Sequence, residues 1–181
     1  MSCNRKFYDQ HALQVFGFAG MKSQASPLAA GVRRMPRQSR ARQTSQALQE
    51  AFVRLLIEHG YAAVTVREIV AVAGVGIGTF YEYVDSKQAL AALTIHLRIK
   101  ALSTGLLETA QTLRGRPMTV LLDALLDHQV NAIRANARAW AALFSLERQI
   151  SSPEAFRKNY RKYVDAWETS LTVARDAPAA E

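Results

Sequence analysis

From Thr44 onward, apolar side chains recur at three- and four-residue steps, as in helices that bury one face. Leu48, Phe52, Leu55, Leu56 and His59 form the first stripe, and Gly60 then offers a left-handed stop. The run from Thr65 to Glu68, T-V-R-E, reads as a capping box. It predicts a second helix that starts at Val66 and turns Ile69, Val70 and Ala73 inward until Gly74. A short third helix runs from about Ile77 to Tyr83. Asp85 and Gln88 form a further box ahead of a long helix whose inner face is Ile95, Ile99, Leu102, Leu106, Ala110 and Leu113.

Gly115 and Pro117 punctuate that helix. The next stripe is Leu122, Leu126, Val130, Ile133, Ala137, Trp140 and Phe144, with a break near Asn136. Ser152 and Pro153 signal the start of a last helix bearing Phe156, Tyr160, Tyr163, Trp167 and Leu171, with Arg157, Lys158, Arg161 and Lys162 opposite. No segment alternates with a two-residue period and β-branched enrichment, so the expected fold is all-α.

Composition narrows the function classes. No uninterrupted apolar run approaches the roughly 18 residues that span a bilayer, so an integral membrane protein is not expected. Cys3 has no partner for a disulfide, and no Cys/His spacing suggests a structural zinc. The net charge of +8 is unevenly distributed. Residues 1–44 hold eight basic side chains against Asp9 alone, whereas the remainder is nearly neutral. Such an arm seeks a polyanion.

Within the arm, Arg5 and Lys6 ahead of the apolar residues 12–19 look like a signal peptide, but Gln14 interrupts the stretch and no clear cleavage site follows. The Arg- and Ser-rich character also fits a transit peptide. The favoured reading is a compact basic start at Met35, MPRQSRARQTS, with Met21 as the other internal candidate.

The stretch TVREIVAVAGVGIGTFYEYVDSK, residues 65–87, reads as a short capped helix, a glycine-bearing turn, a second short helix and a further capped helix. Two short helices joined by so tight a turn cross steeply, with Ile69, Ala73, Val75 and Phe80 at the crossing; this is a helix-turn-helix. The glycines do not make a phosphate loop. Gly74, Gly76 and Gly78 miss the G-x-G-x-x-G spacing and follow a helix, where a dinucleotide fold needs a strand.

The segments GY, TVREI, AGV, GTFYEYV and SK, in register from Gly60 to Lys87, resemble the DNA-binding domain of TetR/AcrR-type transcriptional regulators. The resemblance covers about residues 42–90. It implies a homodimer that places recognition helices in successive major grooves of double-stranded DNA. It also implies a helical C-terminal domain that dimerises and binds a small-molecule effector. The domain boundaries expected are a disordered basic arm over 1–41, the helix-turn-helix over 42–88, a regulatory domain over 89–175 and a tail from 176.

Carried over by position, the resemblance assigns phosphate contacts to Thr65, Tyr81 and Lys87, and a phosphate or guanine contact to Arg67. It places Gly76, Ile77, Gly78 and Thr79 at the base-reading end of the recognition helix, with Tyr83 flanking the groove. Arg37, Arg40 and Arg42 would add phosphate or minor-groove contacts. Against the family pattern, Gly76 stands where Ser or Thr commonly caps, Ile77 where a polar or basic residue is frequent, and Glu82 where an aromatic or His often sits. After Leu171 the sequence ends in ARDAPAAE, whereas the family continues into two further long helices at its dimer interface. Dimerisation then either uses the last helix and its neighbours or is weak.

Effector candidates after Leu90 are His96, His128, Trp140, Phe144, Tyr163 and Trp167, although aromatic side chains on a stripe more often fill a core. Asp123, Asp127 and His128 have a metal-like spacing but read better as a solvated face, so no metal and no cofactor are expected. No Ser/His/Asp or Cys/His set points to an enzyme. The leading expectation is a cytoplasmic bacterial repressor, ligand-responsive and bound as a dimer to a palindromic operator, with no membrane partner. The alternative is a truncated relative that binds a partner regulator or coats DNA without sequence preference.

Overall fold

The computed structural model describes residues 37–177, so the arm up to residue 36, Cys3 within it, and residues 178–181 lie outside the described residues. Seven helices follow in order: α1 (Arg37–His59), α2 (Val66–Ala73), α3 (Ile77–Tyr83), α4 (Lys87–Thr112), α5 (Met118–Arg134), α6 (Ala137–Ile150) and α7 (Pro153–Leu171). No strand occurs among the described residues. The fold is all-α.

Local chemistry sets most of the boundaries. Gly60, Gly74 and Gly115 take the left-handed backbone that ends α1 and α2 and turns the chain after α4, at φ of 74°, 68° and 76°. Asn136 breaks α5 from α6 and accepts from the Ala139 amide, and Ser152 caps α7 by accepting from the Ala155 amide. The cap of α4 is Ser86, not Asp85; its hydroxyl accepts from the Ala89 amide at 3.0 Å. α1 starts at Arg37, well before the apolar stripe begins, so Arg40 and Arg42 are helical instead of belonging to a loose arm. Arg, Gln and Ala are good helix formers, and they extend the helix without any apolar period.

Two apolar clusters hold the molecule together. The first joins Leu48, Phe52 and Leu55 of α1 to Ile69 of α2, Phe80 of α3 and Leu90 and Ile95 of α4, and it also takes Leu143 and Leu146 from α6. The second gathers Leu106 and Ala110 of α4 with Leu121 and Leu125 of α5, and Tyr163 and Trp167 of α7 pack on it. α4 runs unbroken from one cluster to the other and pairs most extensively with α7. By length and composition α4 could cross a membrane, because a few charged residues interrupt its apolar runs without lowering its mean hydropathy far. Here its apolar side packs on α1, α5, α6 and α7.

The stripe expected on α5 is the wrong face. Leu121 and Leu125 are fully buried, whereas Leu126 and Val130 are 51% and 42% exposed. The Leu121–Leu122 and Leu125–Leu126 doublets offer two stripes of equal period, and contact with α4 selects between them. Beyond α7 the chain returns to the α4–α5 turn. The Gly115 amide donates to Val173 O at 2.9 Å, the Arg175 amide to Arg116 O at 3.0 Å, and the Met118 amide to Asp176 Oδ1 at 2.7 Å. Asp176 therefore caps α5 instead of belonging to a tail.

Gly105 lies in mid-α4, where glycine costs about 1 kcal/mol relative to alanine. Its missing Cβ makes room for the His128 ring of α5. Burial holds the His128 imidazole below its ordinary 6.5, with Glu108 opposing weakly. On acidification the unfolded chain takes up this proton first. Stability is therefore complete above pH of about 6.5 and falls as the pH drops through that value toward the lower folded-state pKa. His128→Gln is expected to flatten the fall in melting temperature between pH of roughly 7.5 and 5.5. Parallel curves for the two proteins would show that His128 contributes none of it.

Candidate nucleic-acid interface and ligand cleft

α2, the turn at residues 74–76, and α3 form the helix-turn-helix. Around the start of α2, the Thr65 amide and hydroxyl both donate to Glu68 Oε2, at 2.8 and 2.7 Å, and the Glu68 amide donates to Thr65 Oγ1 at 3.3 Å. These hydrogen bonds hold the Glu68 carboxyl below the usual range, with smaller contributions from His59 and Lys87. The capping box is as expected, but it changes the role of Thr65. Its hydroxyl is committed within the box, and an anion already sits at this helix start. A phosphate here would have to use the remaining first-turn amides and Arg67, which is exposed.

The turn is made by backbone alone. The Gly74 amide donates to Ala71 O, the Val75 amide donates to Val70 O at 3.1 Å, and Gly76 caps α3 without a side-chain bond. α3 has two distinct faces. Phe80 is fully buried, and Tyr83 is half-buried against the first cluster. Ile77, Gly78, Tyr81 and Glu82 point outward, with Ile77 49% and Tyr81 55% exposed. The Tyr81 ring rests edge-on against Phe80 at 5.2 Å, which leaves its phenol in solvent. Thr79 is half-exposed at the side. A Cβ built on Gly78 meets nothing within 4 Å, so the fold does not require glycine there.

Lys87 departs most from the expected arrangement. Its ammonium donates to Tyr61 O at 2.8 Å and Val64 O at 2.7 Å, and lies 4.3 Å from the centre of the Tyr61 ring. It fastens the α1–α2 link to the start of α4 and faces inward. Arg40 is exposed and Arg42 half-buried near the start of α1; the Arg37 side chain lies outside the described residues.

In the C-terminal half a cleft of about 340 Å³ opens between α4, α5, α6 and α7. Of the expected effector residues, Trp140, Phe144 and Tyr163 line it. Trp167 packs in the second core cluster, His128 faces Gly105, and the half-buried His96 is not in the lining. Trp140 donates to Ala132 O at 3.1 Å and lies 5.2 Å from Phe144. The buried Arg98 guanidinium lies 4.9 Å from the Trp140 ring, and burial lowers its pKa to about 10.

The cleft also holds polar groups that the sequence reading passed over. Glu147 is 4% exposed, and Asn159 Nδ2 donates to its Oε1 at 3.2 Å. The Tyr163 hydroxyl is buried, with the Trp167 indole as a polar neighbour but no well-formed hydrogen bond among the described residues; burial raises its pKa and the indole opposes. Glu147 does carry a sequence signal, because it follows Leu143 by four residues and Trp140 by seven, on the apolar stripe itself. Asp123 and Asp127 are exposed, and among the described residues no three His, Cys, Asp or Glu side chains gather as metal ligands.

Residues 48–93 match the family described as bacterial regulatory proteins, tetR family. No curated protein matches the chain. Solved structures with the same fold include a TetR family transcription regulator from Marinobacter aquaeolei VT8, with a TM-score of 0.64 at 20% identity, covering 72% of this chain and 68% of that one. A Pseudomonas aeruginosa PAO1 protein assigned as a transcriptional regulator gives 0.63 at 23% identity over 78% and 69%. The fatty acid degradation regulator FadR of Bacillus halodurans gives 0.60 at 18% over 71% and 66%.

Proposed function

We propose, starting from a chain whose residues 48–93 form a tetR-family domain, that this protein is a cytoplasmic, non-enzymatic repressor that binds a palindromic operator as a dimer and releases it when an effector enters the C-terminal cleft. The observation that carries this reading is the outward face of α3. Ile77, Gly78 and Tyr81 are held clear of the protein by the buried Phe80, at the position from which a recognition helix enters a major groove. That face carries no cation, and Glu82 is its only charge. Sequence readout therefore rests on apolar contact, such as Ile77 against a thymine methyl, on Thr79, and on Glu82 accepting from cytosine. Affinity rests on Arg67, Tyr81 and the basic N-terminal segment.

Selection of bound duplexes from a random pool tests this. An enriched inverted repeat with half-sites one helical turn apart is expected. Retention of DNA without any enriched motif, lost as salt rises, would favour the non-specific alternative, to which the charge-poor α3 lends weight. The control for that alternative removes residues 1–36, because α1 starts at Arg37.

Gly78→Ala separates fold from function. It should stabilise α3 by up to about 1 kcal/mol, since the added methyl meets open space. It should also weaken operator binding about tenfold if the α3 backbone approaches a base edge. Unchanged binding by the stabilised variant would place the groove contact elsewhere.

A further inference from the structure

Taking the cleft as the effector site proposed above, we infer that it selects an amphiphilic organic cation: an aromatic or aliphatic body ending in a protonated amine. The central observation is Glu147. Its carboxylate is almost fully removed from water, yet among the described residues Asn159 gives it its one hydrogen bond, and no Lys, Arg or His nitrogen lies within 4.0 Å of it. A buried carboxylate with so little compensation is costly, and a cation entering the cleft would relieve that cost.

The walls fit the remainder of such a ligand. Trp140, Phe144, Phe156, Tyr160 and Tyr163 contribute five aromatic rings to one cleft, and ring faces attract cations as well as apolar groups. Phe156 already has the Arg148 guanidinium 5.2 Å from its ring centre. The remaining buried polar atoms suit an N–H donor. Gln129 Oε1 is an acceptor without a partner among the described residues, and the Tyr163 hydroxyl can accept as well as donate. Among the lining residues Arg148 is the competing cation, and it would favour an anion. It is exposed, however, so water screens it, whereas the field of Glu147 acts through a low-dielectric interior several times less screened. The cavity of about 340 Å³ accommodates a single-ring amine.

Three matched probes decide the matter: 4-phenylbutylamine, 4-phenylbutanol and 4-phenylbutyrate, titrated into the full-length protein with calorimetry and tryptophan fluorescence. The amine is expected to bind at least about thirtyfold more tightly than the alcohol, and the butyrate least tightly. Glu147→Gln, checked for an unchanged melting profile, should abolish the preference for the amine while leaving alcohol binding in place. The ranking of probes on the unmodified protein stands even if that variant does not fold. Tighter binding of the butyrate or the alcohol, or an amine preference that survives Glu147→Gln, overturns the cation assignment. If such a probe also releases the selected duplex, the effector-site reading survives without the cation. If none of the three binds, both readings fall.

Discussion

Replacing Leu143 and Leu146 together by alanine is expected to unfold the helix-turn-helix, although both residues lie on α6, about fifty residues beyond the end of the tetR-family match. Both are essentially buried, at 2% and 1% exposure, and both belong to the same cluster as Phe52, Ile69 and Phe80. Each Leu→Ala change removes transfer energy and leaves a cavity, at about 2–5 kcal/mol. The two sites are neighbours and will not add strictly, so the pair should cost about 4–8 kcal/mol. That is comparable to the whole stability of a typical domain. Hydrogen exchange provides the test. Amides of α1 and α4 should lose protection together with those of α6. If α1–α3 stayed protected while α6 opened, the two halves would have separable cores. A fragment ending near residue 93 would then be a usable DNA-binding unit.

Lys87→Ala should act mainly through stability. It removes two charge-assisted hydrogen bonds and a ring contact, at a cost of about 2–3 kcal/mol because the released carbonyls can be rehydrated. The melting temperature is expected to fall by roughly 5–10 °C. Operator affinity should drop with it, through misplacement of α2 relative to α4, while the dependence of affinity on salt stays as it was. Arg67→Ala should do the reverse, leaving stability unchanged and lowering the salt slope by about one phosphate contact. A reduced slope for Lys87→Ala would mean that the ammonium leaves the Tyr61 and Val64 carbonyls to reach DNA.

These two predictions also mark what the sequence shows and what it hides. The limits of α2 and α3 are legible because Thr65, Glu68, Gly74 and Gly76 determine them through contacts a few residues apart. The family resemblance rests on those same residues. The inward turn of Lys87 depends on partners 23 and 26 residues away, and no local pattern reports it. On α5 the leucine doublets encode two faces equally, so only the neighbouring helices decide. Glu147 is hidden for a different reason. An acid on a helix ordinarily marks the wet side, and recognising this one requires noticing that it shares a stripe with Trp140 and Leu143.

The return of the chain onto the α4–α5 turn has a consequence for how the protein is made. The bond between Met118 and Asp176 joins residues 58 apart, so closing it carries a loop-entropy cost that the local helical contacts do not. Helices α1–α6 can pair as they leave the ribosome, but the C-terminal half cannot close until Asp176 has emerged. During that interval the buried faces of α4 and α5 depend on incomplete packing. Slow synthesis of residues 172–177, or a bulky insertion directly after Ala177, should therefore lower the yield of folded protein more than the same change ahead of Arg37.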